Sequence, residues 1–312
     1  MIVIASKNGR VGIREAMAVL RRGGSALDAV EAGVREVESN PDDHTVGYSG
    51  YPNLLGQVEL DASIMDGATL AAGAVGAMKD YEHAISVARK VMEELPHCLL
   101  VGEGAERFAK EMGFSTRDLL TAEAKRVYDQ ILSEKAPEVY GQRAKYLESI
   151  RRFVKITADP EKPTETVNFI ARDADGNIAC GVSTSGWAWK YPCRLGDSPV
   201  IGAGNYADNR YGAAACTGRG EMAIRCATAH SVVLYMKTGM ELEAAGREAL
   251  RDLDALVDPF AGSMSIIAMT ADGQHQAFSN KTNASYVYMT GDMAEPVEKP
   301  RIYCQPAKPL AK

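Results

Sequence analysis

The sequence predicts a layered α/β fold, and three observations carry that prediction. Helical periodicity and strand-like alternation take turns along most of the 312 residues, Gly- and Asp-rich turn signals punctuate them, and apolar residues make up 46% of the chain, enough to bury a large core. Residues 12–39 hold two helix-like runs broken at Gly23-Gly24. Ser25 stands as an N-cap with Asp28 three residues on, in the style of a capping box. In the second run Ala26, Ala29, Val30, Gly33, Val34 and Val37 recur at three- and four-residue steps, so that face packs inward while Glu31, Arg35 and Glu38 face water.

Residues 40–57 are too rich in Pro, Asp, Gly, Tyr and Asn for a regular element and form a candidate substrate-side loop. Strands over 59–65 and 69–75 flank Asp66-Gly67, a dipeptide suited to a tight hairpin because both residues tolerate positive φ. A helix over 83–95, a short buried strand over 98–101 and a helix over 104–112 stopped by Gly113 follow. Residues 115–165, charged and poor in β-branched runs, read as a helical arm and an exposed linker ending in Asp159-Pro-Glu-Lys-Pro-Thr-Glu165. From Thr166 the run Val167, Phe169, Ala171 alternates, the turn Asp173-Ala-Asp-Gly-Asn177 comes next, and a strand covers 178–183, which makes a hairpin. Helices are expected over 221–237, opened by Thr217-Gly-Arg-Gly220, and over 242–256. Strands over 263–270 and 276–278 pair around Ala271-Asp-Gly273, and a strand over 285–289 ends the ordered pattern before a Pro- and Lys-rich tail.

A formal charge of −6 disfavours nucleic acid phosphates and anionic lipid heads, so the expected partner is a small molecule. The opening Met1-Ile-Val-Ile-Ala-Ser-Lys7 has too few apolar residues for a signal-peptide core or a membrane span. Cys98, Cys180, Cys193, Cys216, Cys226 and Cys304 form no CxxC pair and have no His at metal-ligand spacing, which fits reduced cysteines in the cytoplasm and no metal site. A catalytic Cys paired with one of the five histidines is disfavoured because the cysteines mostly sit in apolar stretches.

Four local signals remain: Thr166 after the charged linker, Gly181-Val-Ser-Thr-Ser-Gly186, Arg194-Leu-Gly-Asp-Ser-Pro199 and Thr217-Gly-Arg-Gly-Glu221. Singly each is ordinary: a strand-start Thr, a loop ion pair, a turn with a cap. The helix start after Thr217 nonetheless offers free N–H groups, which makes Gly218 a candidate oxyanion donor beside the Thr217 hydroxyl. Gly202-Ala-Gly204 and Gly102-Glu-Gly104 lack the glycine spacing of a dinucleotide fingerprint.

Taken in order, the motifs are far more specific. Gly23-Gly-Ser-Ala-Leu-Asp-Ala-Val-Glu31, Thr45-Val-Gly-Tyr-Ser-Gly50, Leu60-Asp-Ala-Ser-Ile-Met-Asp-Gly67 and Gly73-Ala-Val-Gly76 precede Glu165-Thr166, Ser183-Thr-Ser-Gly186, Arg194-Leu-Gly-Asp197, Gly202-Ala-Gly204 and Thr217-Gly-Arg-Gly220. This pattern, spread over roughly residues 10–290, resembles the glycosylasparaginase family, which includes plant-type asparaginases and isoaspartyl aminopeptidases.

The resemblance implies an α+β N-terminal-nucleophile fold: one domain, a four-layer αββα sandwich with two antiparallel sheets facing each other between helices. It implies autocatalytic cleavage between Glu165 and Thr166, giving an α chain of 1–165 and a β chain of 166–312, and a dimer of such processed heterodimers. Thr166 would be the nucleophile, its freed α-amine (unperturbed pKa about 7.7 to 8) taking the proton of its own hydroxyl. Thr184 would tune Thr166, Thr217 and Gly218 would stabilise the oxyanion, and Arg194, Asp197, Thr217, Gly218 and Gly220 would bind the substrate, with Arg194 on the α-carboxylate and Asp197 on the α-ammonium. Attack on a side-chain amide of asparagine or its N4-glycosylated form would give aspartate without a cofactor or metal. The rival expectations are an isoaspartyl aminopeptidase with the same machinery and an unprocessed homologue that only binds amino acids. The chain departs from the family at two positions: Glu165 stands where Asp or Gly is usual, and Asn168 where Gly is usual, close enough to narrow or contact the substrate pocket.

Overall fold

A computed structural model of the protein describes residues 1–135, 166–258 and 260–307. The expected linker, with Glu165, and the last five residues of the tail lie outside the described residues. Helices and strands are mixed, in two sheets. The larger runs, in spatial order, through β12 (Val297–Pro300), β11 (Ser285–Thr290), β1 (Ile2–Ser6), β5 (Val167–Arg172), β6 (Ile178–Thr184), β2 (Leu60–Asp66), β3 (Ala72–Met78) and β4 (Leu99–Val101). The smaller runs through β13 (Ile302–Tyr303), β10 (His275–Ser279), β9 (Met264–Thr270), β8 (Gly212–Gly218) and β7 (Asn205–Asp208). Neighbours are antiparallel, except that β3 with β4 and β10 with β13 are parallel edge pairs, a departure from the expected all-antiparallel sheets.

Three apolar clusters hold this together. One packs α1 (Ile13–Arg21), α2 (Ala26–Glu38), α3 (Ala84–Glu94) and α4 (Gly102–Glu111) on one face of the larger sheet. Another packs α6 (Gly220–Cys226), α7 (Thr228–Lys237) and α8 (Leu242–Asp252) on one face of the smaller sheet. The third mixes Ile2, Ile4, Met65, Ile170, Ile178, Cys180 and Val182 of the larger sheet with Ala207, Ala213, Ala215, Ile267, Met269 and Ala277 of the smaller. A small fourth cluster, with Leu54, Tyr128, Leu132, Ala188 and Trp189, seats α5 (Ala122–Lys135).

Strand alternation fixes what faces the space between the sheets. On β5, Val167, Phe169 and Ala171 join the helix-side core, whereas Ile170 joins the inter-sheet core. Thr166 and Asn168 share the parity of Ile170. By the same rule Thr184 shares the parity of Cys180 and Val182, and Asp61 and Ser63 share that of Met65. The registers Val167↔Ser183 and Asp61↔Thr184 then set Thr166, Thr184 and Asp61 side by side in one row. Asn168, Val182 and Ser63 form the next row, and the wholly apolar Ile170, Cys180 and Met65 the one after. One end of the inter-sheet space is therefore polar.

Local structure bears out several expectations and corrects others. The capping box is formed: Asp28 N–H donates to Ser25 Oγ at 3.1 Å and Ser25 N–H to Asp28 Oδ2 at 3.2 Å. The turn after β5 is organised by Asp173, whose Oδ1 accepts from the N–H groups of Asp175 and Asn177 while Oδ2 accepts from Ala26 N–H at the start of α2. Glu38, expected in water, is fully buried, because its carboxylate accepts from Ser183 Oγ at 2.6 Å and from Ile85 N–H at 3.0 Å. Burial pushes its pKa up. The hairpin at Asp66-Gly67 is not a two-residue turn. Asp66 instead gathers Ala68 N–H, Thr69 Oγ1 and Leu70 N–H, and Leu70, not Gly67, takes the positive φ of 62°. Strand β4 is an exposed edge rather than buried. The expected single helix over 221–237 breaks at Ala227, in the left-handed region at φ 47°. Strands β1, β7, β8, β12 and β13 add to those expected.

Phe169 seats α2 against β5. A Cβ on Gly33 would lie 2.6 to 2.9 Å from Phe169 ring carbons. Alanine would raise helix propensity by about 1 kcal/mol, but overpacking a fully buried ring costs about 1–3 kcal/mol, so the clash wins. Gly33→Ala should lower the urea midpoint with an unchanged slope, a net loss of up to about 2 kcal/mol.

Candidate functional site

Thr166 is 7% exposed and precedes β5. A closed set of hydrogen bonds surrounds its end of the strand. Asn168 N–H donates to Ser6 Oγ at 3.1 Å, Ser6 Oγ to Asn8 Oδ1 at 2.7 Å, and Asn8 Nδ2 to Asp43 Oδ2 at 2.9 Å. Asp43 Oδ1 accepts from the Thr45 N–H and hydroxyl, and the Thr45 carbonyl accepts from Thr184 Oγ1 at 3.2 Å and Ser185 N–H at 2.8 Å. The loop over 40–57, expected on the substrate side, thus lies directly against Thr184. Gly186 N–H also donates to Thr184 Oγ1 at 2.9 Å.

From the smaller sheet comes the end of β8. The Asn168 carboxamide reaches across: Nδ2 donates to the Cys216 carbonyl at 2.6 Å and to Thr217 Oγ1 at 3.0 Å. Its side chain therefore turns into the fully buried space between the sheets, not into an open pocket. Gly218 has φ 133°, and a Cβ there would meet the Ser263 carbonyl at 2.2 Å, so only glycine fits.

Two anchored loops bring in the charges. The buried Glu59 carboxylate accepts from Cys193 N–H and pairs with buried Lys190 at 3.7 Å, while Ser63 Oγ donates to the Ser198 carbonyl. Between these anchors Arg194 donates through Nε to Glu221 Oε1 at 2.9 Å, and its Nη2 lies 2.9 Å from the same oxygen. The Arg194 guanidinium sits 4.6 Å from the Trp187 ring centroid and that of Arg219 5.4 Å from it. A Cβ on Gly220 would lie 2.8 Å from Asp197 Oδ1, so Gly220 lets α6 start against Asp197. Gly196 N–H donates to Asp61 Oδ2 at 3.4 Å, which ties this loop to the row of Thr184.

Asp197 Oδ2 is buried without a hydrogen-bond partner among the described residues, and Glu221 Oε2 meets Arg219 Nε only at ion-pair distance, 3.9 Å. A buried bond left unmade costs about 1–3 kcal/mol, so such unmatched charge marks a candidate binding site. Burial pushes Asp197 up to about 7, with Arg194 opposing and Glu221 and Asp61 adding to the rise. Two guanidiniums and two carboxylates converge here, charges that suit the carboxylate and ammonium of an α-amino acid.

Of the residues expected from sequence, Thr166 and Thr184 meet by register, Thr217 joins through Asn168, and Arg194, Asp197 and Gly220 form a cluster tied in by Asp61. Sequence reasoning assigned no role to Glu221, Trp187, Arg219, Asp61 or Ser6. A signal existed for Glu221, a carboxylate one residue after Thr217-Gly-Arg-Gly220, and for Asp61 within a quoted motif. No described group of His, Cys, Asp and Glu could hold a metal ion. All six cysteines are free, and burial pushes the Cys180 and Cys216 thiols up, away from nucleophilic use. No described helix is long and apolar enough to cross a membrane.

The whole chain resembles known proteins. The family described as Asparaginase matches residues 7–298. An N(4)-(Beta-N-acetylglucosaminyl)-L-asparaginase of Elizabethkingia miricola is 40% identical over 85% of this chain and 74% of its own length. A plant-type L-asparaginase of Pyrococcus horikoshii is 40% identical over 91% of each chain, and an isoaspartyl peptidase/L-asparaginase of Mus musculus is 38% identical over 76% of this chain and 68% of its own. The family and these relatives are named as amide hydrolases. The chain belongs to the asparaginase family.

Asp197 sets a pH test. Its raised pKa means the resting site holds a proton below about pH 7, and an ammonium ligand needs that proton gone. Calorimetric affinity for L-aspartate should therefore fall about tenfold per pH unit below that point, whereas succinate, with no ammonium, should not follow this slope. Equal slopes for both would exclude Asp197 as the ammonium partner.

Proposed function

We propose that this protein is a threonine-nucleophile amide hydrolase that cuts itself before Thr166 and then hydrolyses the side-chain amide of asparagine or N4-glycosylated asparagine. The observation that carries this reading is the cluster of Arg194, Glu221 and Asp197, the last with its buried Oδ2 unbonded, complementary to an α-amino acid, in a family of asparaginases. The reading brings with it a single domain built as a four-layer αββα sandwich, chains of 1–165 and 166–312, pairing of two such heterodimers, and, from the unpaired cysteines, a reducing compartment such as the cytoplasm.

In this mechanism the free α-amine of Thr166 accepts the proton of its own hydroxyl, and Oγ1 attacks the amide carbon. Thr217 and Gly218 donate to the oxygen that becomes negative. Thr184, itself fixed by the Thr45 carbonyl and Gly186 N–H, tunes the nucleophile. Collapse of the tetrahedral species breaks the carbon–nitrogen bond, and the α-ammonium returns its proton to the departing ammonia or glycosylamine. A water, deprotonated by the same amine, opens the β-aspartyl ester and frees aspartate. Arg194 and Asp197 hold the amino-acid end throughout, supported by Glu221 and Gly220.

Two bands on a denaturing gel are expected for the wild type, and one uncut, inactive chain for Thr166→Ala. Activity in Thr166→Ala would sink the nucleophile assignment, and a persistent single band in the wild type would leave an amino-acid binder. Turnover of asparagine, a glycosylasparagine and a β-aspartyl dipeptide, compared side by side, separates the hydrolase from an isoaspartyl peptidase. Arg194→Ala should raise KM at least tenfold with a smaller change in kcat.

A further inference from the structure

The Asn168 side chain is fully buried between the sheets and its carboxamide is committed on both sides. The Asn168 amide nitrogen has two hydrogens. One goes to the Cys216 carbonyl at 2.6 Å and the other to Thr217 Oγ1 at 3.0 Å. The Thr217 hydroxyl also lies 3.1 Å from Asn168 Oδ1, to which it donates. The carboxamide thus presents both a donor and an acceptor to one hydroxyl, which cannot satisfy both with linear bonds.

That hydroxyl has a single hydrogen and two lone pairs. With Asn168 Nδ2 donating to it, Thr217 Oγ1 remains anchored when its hydrogen swings away from Asn168 Oδ1. Thr217 is only partly buried, so one side of it opens beyond the inter-sheet space. A hydroxyl that accepts one hydrogen bond becomes a better donor of the next.

We propose that Asn168 is a positioning residue that holds the Thr217 hydroxyl as a polarised donor for the oxyanion, replacing by a side-chain bridge a support that glycine cannot supply. At rest the Thr217 hydrogen points to Asn168 Oδ1; as negative charge grows on the substrate oxygen it turns to that oxygen, while the bond from Nδ2 keeps Oγ1 in place. The inference rests on the threonine-nucleophile reading above. It concerns the amide hydrolysis that follows self-cleavage.

The test is a double-mutant cycle between Asn168→Gly and Thr217→Ala, with rates expressed per mole of cleaved chain from the gel. Asn168→Gly should cleave itself, keep KM and L-aspartate affinity within about twofold, and lose at least about tenfold in kcat, since a whole oxyanion donor is worth about 10²–10³. In the Thr217→Ala background the same change should cost less than about twofold. Additive losses, an unchanged kcat in Asn168→Gly, or a folded variant that never cleaves would each overturn the proposal. Should Asn168→Gly not fold, Asn168→Leu decides: similar in size but without a donor at any pH, it should show the same loss in kcat with KM kept, and wild-type kcat would refute the bridge. Loss of the nucleophile reading would show separately, as activity that survives Thr166→Ala.

Discussion

Everything at this site depends on one end of the space between the two sheets being polar while the rest is apolar. Placing hydroxyls, a carboxamide and carboxylates between sheets costs about 1–3 kcal/mol for each bond left unmade. The rows of Thr166, Thr184 and Asp61 and of Asn168 and Ser63 meet that demand with bonds to other segments: Ser63 to Ser198 and Asn205, Asn168 to Cys216, Thr217 and Ser6, and Asp61 to Ala77 and Gly196. Each bond recruits a different segment. The polar end is consequently where the N-terminal strand, the loop over 40–57, the loop after β6 and the end of β8 are all forced to meet.

The charges follow another logic. Arg194 and Arg219 are like charges brought to one indole, and what makes their proximity tolerable is the pairing of Arg194 with Glu221 and of Arg219 with Asp258 at 3.2 Å. Desolvation still lowers the Arg219 pKa and raises that of Asp197, the mark of a site dried before it is filled. Glu221 holds Arg194 through Oε1, and its Oε2 lies 3.9 Å from Arg219 Nε, so one carboxylate orients both guanidiniums. Such ion pairs are weak as stabilisation but useful as preorganisation, because they fix the cations before a ligand arrives.

How much of this was legible in the sequence depended on whether a residue's role is local. The Ser25 cap, the Asp173 turn and the strand from Thr166 were readable because each is decided within a few residues. The Asp66-Gly67 hairpin was located correctly but its geometry was not, since Asp66 side-chain bonds stretch the turn and pass the positive φ to Leu70. Glu38 fitted an exposed stripe of α2, and only the arrival of Ser183 and His83 from elsewhere explains its burial. Within the site, Arg194, Asp197, Thr184 and Thr217 could be placed by ordered motifs. Trp187, Arg219 and Ser6 could not, because their meaning lies wholly in pairings between segments distant along the chain.

Strand β8 shows why the most consequential contact was the hardest to foresee. Its sequence, Gly212-Ala-Ala-Ala-Cys-Thr-Gly218, has none of the β-branched or aromatic density that announces a strand, and the helix signal after it dominated the reading. Yet those small residues are what the contact requires. Stacked sheets ordinarily stand about 10 Å apart, too far for a side chain as short as asparagine to bond the opposing backbone unless the facing residues are small. Ala213 and Ala215 face the larger sheet, while Ala214 and Cys216 face α7 and α8, so β8 can settle closely enough for Asn168 to touch the Cys216 carbonyl. Alternation then turns Thr217, the next residue, toward the same side as Thr166. A poor strand by propensity is thus the strand that lets the two halves of the site come within hydrogen-bonding reach.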